Sequence, residues 1–211
     1  MLIKFKNFLH GLWRRAATKK RYSQLLERVS KPDEKGFGRS DWILSRPLYR
    51  FARFEFKSVT RLQREQALRM QIGQWTPYAE TGLYVVWEQD NAHVWAWDAQ
   101  RVEKGILSSK LQLKGTSIVP ETLLHRRQSQ GAYLVACLEG YEGQVWRDDS
   151  IYSSRWWPEL PATNEWINFQ MDAGLMPERQ SNEVPAALPL SLGEAAWARS
   201  AVLNGSAFYG D

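Results

Sequence analysis

The chain has one cysteine, Cys137, and three histidines, His10, His93 and His125. A single thiol allows no intrachain disulfide and no Cys-rich zinc site, which points to a reducing compartment. The histidines share no spacing with one another, or with a set of carboxylates, that marks a metal site. Each is expected to be a surface or hydrogen-bonded structural residue. No apolar run approaches the roughly 20 residues of a membrane-spanning helix, and the N-terminus lacks the apolar core and small-residue cleavage site of a secretory signal. Walker-type and GxGxxG loops are absent. No serine sits in a nucleophile elbow, and Cys137 has no local base; in the apolar run YLVACL it reads as a small buried hydrophobe. These absences leave cytoplasmic residence, no resident cofactor, no metal and no enzymatic activity as the expectations.

What the chain does have is aromatic surface. Eleven of its 211 residues are Trp and 44% are apolar, enough for a sizeable core. Trp buries a large area and keeps one N–H in need of a partner, so the core is expected to be rich in rings with polar tips. Charge is uneven. Residues 1 to 35 hold ten Lys or Arg against Glu27, Asp33 and Glu34, so the arm carries +7 of a total of +5 and the remainder carries −2. A nucleic-acid role would rest on the arm alone and is not expected.

From Leu2 to Ala17, Leu2, Phe5, Leu9, Leu12, Trp13 and Ala16 recur at helical spacing, with Lys4, Asn7, His10, Arg14 and Arg15 on the other side. This spacing predicts a basic amphipathic helix. Two readings stay open. The helix inserts Phe5, Phe8 and Trp13 into an anionic leaflet with Arg14, Arg15, Lys19 and Lys20 toward lipid phosphates, or it packs on the body or a protein partner.

A short helix is expected over Tyr22 to Val29, then a linker, then a strand over Trp42 to Phe56 with apolar groups on both faces. The centre of the chain is Leu62 to Asp98: a helix over Val59 to Trp75, capped near Thr60 and ended at Thr76 by Pro77, then a hairpin GLYVVWE and AHVWAWD turning at Gln89-Asp90-Asn91. Residues Ala99 to Leu111 make a short helix or loop. Ile118 to Leu124 is a strand turning helical at Pro120. A three-strand meander follows, GAYLVACLE, GQVWRDD and SIYSSRWW, with turns at Glu139 to Gly143 and Asp148 to Ser150. A helix spans Asn164 to Ala173 with Gly174 behind it. After Pro177 the chain turns Pro- and Ala-rich, with one short helix over Leu192 to Leu203 packed by Trp197. The implied division is an arm and linker over 1–40, a mixed α/β domain over 41–176 and a C-terminal segment over 177–211.

Candidate chemistry is sparse. The turn LEGYEGQ, with Glu139, Gly140 and Gly143, offers amides for a degenerate phosphate contact, or it is a hairpin that needs glycine for positive φ. Glu139, Glu142, Asp148 and Asp149 could serve a paired-carboxylate hydrolase. Trp156 and Trp157 could serve a carbohydrate-binding surface, although neighbours in a strand face opposite ways and at most one is a platform.

The segment LYRFARFEFKSVTRLQREQALRMQIGQWTPYAETGLYVVW resembles the cytoplasmic domains of inner-membrane platform proteins of type II secretion and type IV pilus systems, the GspL/PilM group. Ala67, Leu68, Gln71, Thr76, Pro77, Tyr78, Val85 and Trp87 carry the match, and IVPETLL and AYLVACLEGYEGQVWRDDSIYSSRWWPE continue it, over about residues 42 to 160. The resemblance implies an actin-like, ribonuclease-H-like α/β (α+β) fold with β-meanders flanked by helices. It also implies a scaffold that contacts secretion or pilus components at the cytoplasmic face of the inner membrane. Glu139 stands where nucleotide-binding relatives carry Asp, and the opening phosphate hairpin is missing. The membrane span that follows the domain in the GspL type is not in the sequence.

Overall fold

The computed structural model describes residues 20–31, 40–60, 62–113, 116–175, 180–193, 195–201 and 208–209. The expected N-terminal helix lies outside the described residues. The fold is mixed α/β, with three sheets around a shared aromatic core.

The first sheet has the order β2-β1-β3-β7. Its strands are β1 (Lys20–Gln24), β2 (Val29–Ser30), β3 (Ser40–Leu44) and β7 (Thr116–Pro120). β1 and β7 both run parallel to β3, whereas β2 is antiparallel to β1. The helix expected over Tyr22 to Val29 is therefore a strand, a turn and a second strand. Its leucines, Leu25 and Leu26, sit in the turn, while Tyr22 stacks on Trp42 at 5.8 Å. The Trp42 indole N–H donates to Gln24 Oε1 at 2.7 Å. Those contacts with β3 outweigh the local helical spacing of the leucines.

The strand expected over Trp42 to Phe56 is two strands in two sheets, β3 and β4 (Tyr49–Glu55). They are separated by the 3-10 turn Arg46–Leu48. Pro47 lacks the N–H that a continuous ladder needs, and the chain changes sheets there.

The second sheet has the order β11-β5-β6-β4 and is antiparallel throughout. The hairpin β5 (Glu80–Glu88) and β6 (Asn91–Asp98) is as expected, and β11 is Phe208–Tyr209. Alternation divides its side chains cleanly. Tyr84, Val86, Trp95 and Trp97 face the shared core. Leu83, Val85, Val94 and Ala96 face Leu68 and Ile72 of helix α1 (Arg64–Trp75). The helix ends at Thr76 as Pro77 requires, but begins at Arg64 with Gln63 as N-cap; Thr60 instead donates its hydroxyl to the Gln63 side chain. Helix α2 (Ala99–Ser108), capped by Asp98 through the Arg101 N–H, contributes Val102 and Ile106 to the shared core.

The third sheet is the expected meander, β8 (Gly131–Ala136), β9 (Tyr141–Arg147) and β10 (Ser150–Trp157). Trp146 and Ile151 point to the shared core. Leu134, Val145 and Trp157 point to Trp166 and Phe169 of α3 (Thr163–Asp172).

The described residues after 180 form no helix, so the helix expected over Leu192 to Leu203 is corrected. Their backbone groups pair with other elements. The Leu188 N–H donates to Leu134 O at 2.8 Å, and the Gly193 N–H to Leu124 O at 2.7 Å. The Trp197 N–H donates to Leu123 O at 3.0 Å and the Ala201 N–H to Val85 O at 2.7 Å. The Trp197 ring lies 6.3 Å from Trp95 and 5.8 Å from Trp146, so packing by Trp197 holds without the helix.

Candidate functional site

The polar centre of the protein is a buried ion pair where the three sheets meet. Arg46 leaves β3 at the 3-10 turn and sends its guanidinium inward. Nε donates to Glu142 Oε1 at 2.5 Å, Nη1 to Tyr49 O at 2.9 Å and Nη2 to Ser154 Oγ at 2.8 Å. Glu142, Gln144 and Trp146 occupy alternate positions of β9 and share its inner face. The Glu142 carboxylate also accepts from the Thr122 hydroxyl at 2.9 Å, from Gln144 Nε2 at 2.7 Å and from the Ser154 hydroxyl. Gln144 Oε1 then accepts the Trp146 indole N–H at 2.9 Å.

Proton directions follow from the acceptors. A carboxylate only accepts, so Thr122 spends its one hydroxyl proton on Glu142. Tyr49 therefore donates to Thr122 Oγ1 at 2.7 Å, and its oxygen accepts the Thr122 backbone N–H at 3.0 Å. Burial works against both ions of the central pair. Burial is the largest single effect on each, but for Arg46 the Glu142 charge, the Tyr49 oxygen and the hydrogen bond to Glu142 together exceed it, and its pKa is raised. For Glu142 the Arg46 and His125 charges and the Ser154 and Gln144 hydrogen bonds together exceed it, and its pKa is lowered. Tyr49 is held neutral by burial and by the Glu142 charge.

A second carboxylate, Glu121, opens the 3-10 turn Glu121–Leu124 that follows β7. It accepts the Arg46 N–H at 3.0 Å and the Leu138 N–H at 2.5 Å, and lies 3.4 Å from His125 Nε2. His125 Nδ1 is 3.9 Å from Glu142 Oε2, so the imidazole stands between two buried carboxylates. Cys137 is half-buried beside them, and burial pushes its thiol up, out of thiolate reactivity at neutral pH.

Of the residues singled out in the sequence, Glu139 and Gly140 sit in the β8–β9 turn, whereas Gly143 lies within β9, opposite Leu134 and Arg155. The Glu139 carboxylate accepts from the Leu26 N–H at 2.9 Å and the Ser45 hydroxyl at 2.7 Å. Gly140 takes φ +72, and a Cβ there would meet Trp157 O at 2.2 Å. Asp148 and Asp149 turn the β9–β10 hairpin at the opposite end of β9 from Glu139, so the four acids do not converge. Trp157 is buried; the Trp156 indole N–H donates to Glu139 O at 2.7 Å. Phe5, Phe8, Trp13, Arg14, Arg15 and Lys19 lie outside the described residues, and Lys20 opens β1.

Sequence reading missed Arg46, Glu121, Thr122 and Tyr49, and treated Glu142 as a turn acid. The available signal was Glu121 and His125 four apart around an apolar Leu-Leu, with Arg46 beside a proline between two strands. His93 is buried on β6, 3.0 Å from the Ser150 hydroxyl and 3.8 Å from Glu88. Burial lowers its pKa to about 4 against the pull of Glu88. It fits the hydrogen-bonded structural reading.

A mixed α/β protein with a buried ion-pair network at a three-sheet junction is the class that these observations define. No family model and no curated protein matches the chain. Among solved structures, it is similar to the cytoplasmic domain of EpsL, an inner membrane component of the type II secretion system of Vibrio cholerae. That match has 11% identity and a TM-score of 0.43, and covers 75% of this chain and 67% of that one. It is also similar to a Bacteroides thetaiotaomicron protein with actin-like ATPase fold and unknown function, at 6% identity and a TM-score of 0.44, covering 76% and 77%.

Proposed function

We propose that this chain is a non-enzymatic assembly protein of actin-like architecture. It acts through protein contacts in a secretion or type IV pilus-like machine at the cytoplasmic face of the bacterial inner membrane. One observation carries the reading: the carboxylates nearest to any catalytic or phosphate-binding role serve the fold itself. Glu142 is consumed by Arg46, Thr122, Gln144 and Ser154, and Glu139 by Leu26 and Ser45. The sequence pattern from Leu48 to Trp87 supports the same class. Capture of secretion or pilus components from native extract, identified by mass spectrometry, is the expected result. ATP turnover abolished by Glu139→Ala in a folded protein would overturn the non-enzymatic reading.

The basic arm is the proposed site of peripheral attachment, to anionic lipid or to a membrane-anchored partner. Because Lys20–Gln24 is a strand hydrogen-bonded to β3, the deletion that tests the arm ends at residue 19. Removing residues 1–19 is expected to abolish sedimentation with anionic vesicles or capture of the membrane partner while leaving the circular dichroism spectrum of the body intact.

A further inference from the structure

We infer that Glu121, His125 and Cys137 form a three-ligand site for Zn2+. The imidazole and thiol come with a carboxylate from two segments the fold presses together, the 3-10 turn after β7 and the loop after β8. One donor atom of each residue lies within 4.8 Å of the other two. Metal–ligand bonds of roughly 2.0 Å to N and O and 2.3 Å to S put the atoms of a tetrahedral N, O and S set about 3.3 to 3.5 Å apart. Glu121 Oε1 and His125 Nε2 are already at 3.4 Å.

Independent support comes from the other ring nitrogen. His125 is buried, and its Nδ1 has no hydrogen-bond partner, which a buried polar atom rarely tolerates. That atom faces Glu142 Oε2 at 3.9 Å. With Nε2 on the metal, Nδ1 carries the proton and donates to Glu142, the carboxylate–histidine–metal arrangement that fixes tautomer and ring orientation. Glu121 is oriented for the same role by the Arg46 and Leu138 N–H groups. A thiolate–imidazole–carboxylate set suits Zn2+ and disfavours Mg2+ or Ca2+. On binding, the Cys137 proton passes to solvent, and a water completes four-coordination.

The test uses the whole chain, stripped with a chelator and titrated with Co2+ alone as the spectroscopic stand-in for zinc. One equivalent is expected to produce a thiolate-to-cobalt charge-transfer band, displaced by Zn2+ and absent in Cys137→Ser. Glu142→Gln is expected to weaken cobalt affinity roughly 10–100-fold. In the wild-type chain, with no variant needed, Zn2+ is expected to raise the Tm. Absence of the band and of a Tm rise in a folded wild-type protein overturns the site and leaves His125 a structural bridge. A band that persists in Cys137→Ser overturns it as well.

Discussion

At the scale of the residue, the Arg46–Glu142 pair decides how much of the protein's stability depends on one contact. Removing one partner strands a buried charge, so Glu142→Gln is expected to destabilise the fold by about 3–5 kcal/mol in urea titration. Replacing both partners with apolar residues, as in Arg46→Met with Glu142→Leu, is expected to recover much of that loss, because the desolvation cost disappears with the ions. Since the Glu142 pKa is lowered by folding, its contribution is present above the ordinary carboxylate range and fades as pH falls through the folded value. His93 acts in a higher window. Its folded pKa is near 4 while the unfolded chain titrates at about 6.5, so the unfolded state takes up the proton first. Stability is expected to fall by up to about 3 kcal/mol as pH drops from 6.5 toward 4. His93→Gln should flatten that part of the pH profile relative to wild type.

At the scale of the element, the tightest tolerance is between neighbouring strands of the second sheet. Gly82 stands opposite Trp97, and a Cβ there would lie 2.1 Å from the indole nitrogen. Gly82→Ala is expected to cost about 1–3 kcal/mol as overpacking, read as a lower denaturation midpoint. The hairpin and meander were legible in the sequence because period-2 alternation and turn residues are local signals: Gln89-Asp90 and Asp148-Asp149 sit where the turns form. β1 was not legible. Its assignment depends on parallel pairing with β3 and on the Tyr22–Trp42 stack, neither of which a window around Leu25 and Leu26 contains. The break at Arg46-Pro47 was written in the sequence, yet alternation runs across it on both sides and hides it. Of the buried polar site, only the i, i+4 spacing of Glu121 and His125 was visible. Arg46, Thr122 and Glu142 are brought together across long stretches of chain, and no spacing encodes that meeting.

At the scale of the whole molecule, the described residues 188–193 and 195–201 tie the second and third sheets to the turn after β7. They bond to β8 at Leu134, to the turn after β7 at Leu123 and Leu124, and to β5 at Val85. Trp197 lies between Trp95 and Trp146. Trp197→Ala is expected to cost about 3 kcal/mol, measured by urea unfolding, because the cavity opens where two sheets share one ring. The order of synthesis gives that strap another meaning. Every strand it bonds to leaves the ribosome before it does, and translation at about 5–20 residues per second leaves an interval of seconds. During that interval Trp95 and Trp146 have no cover from Trp197. The nascent chain therefore passes through a stage with an open aromatic seam between Trp95 and Trp146.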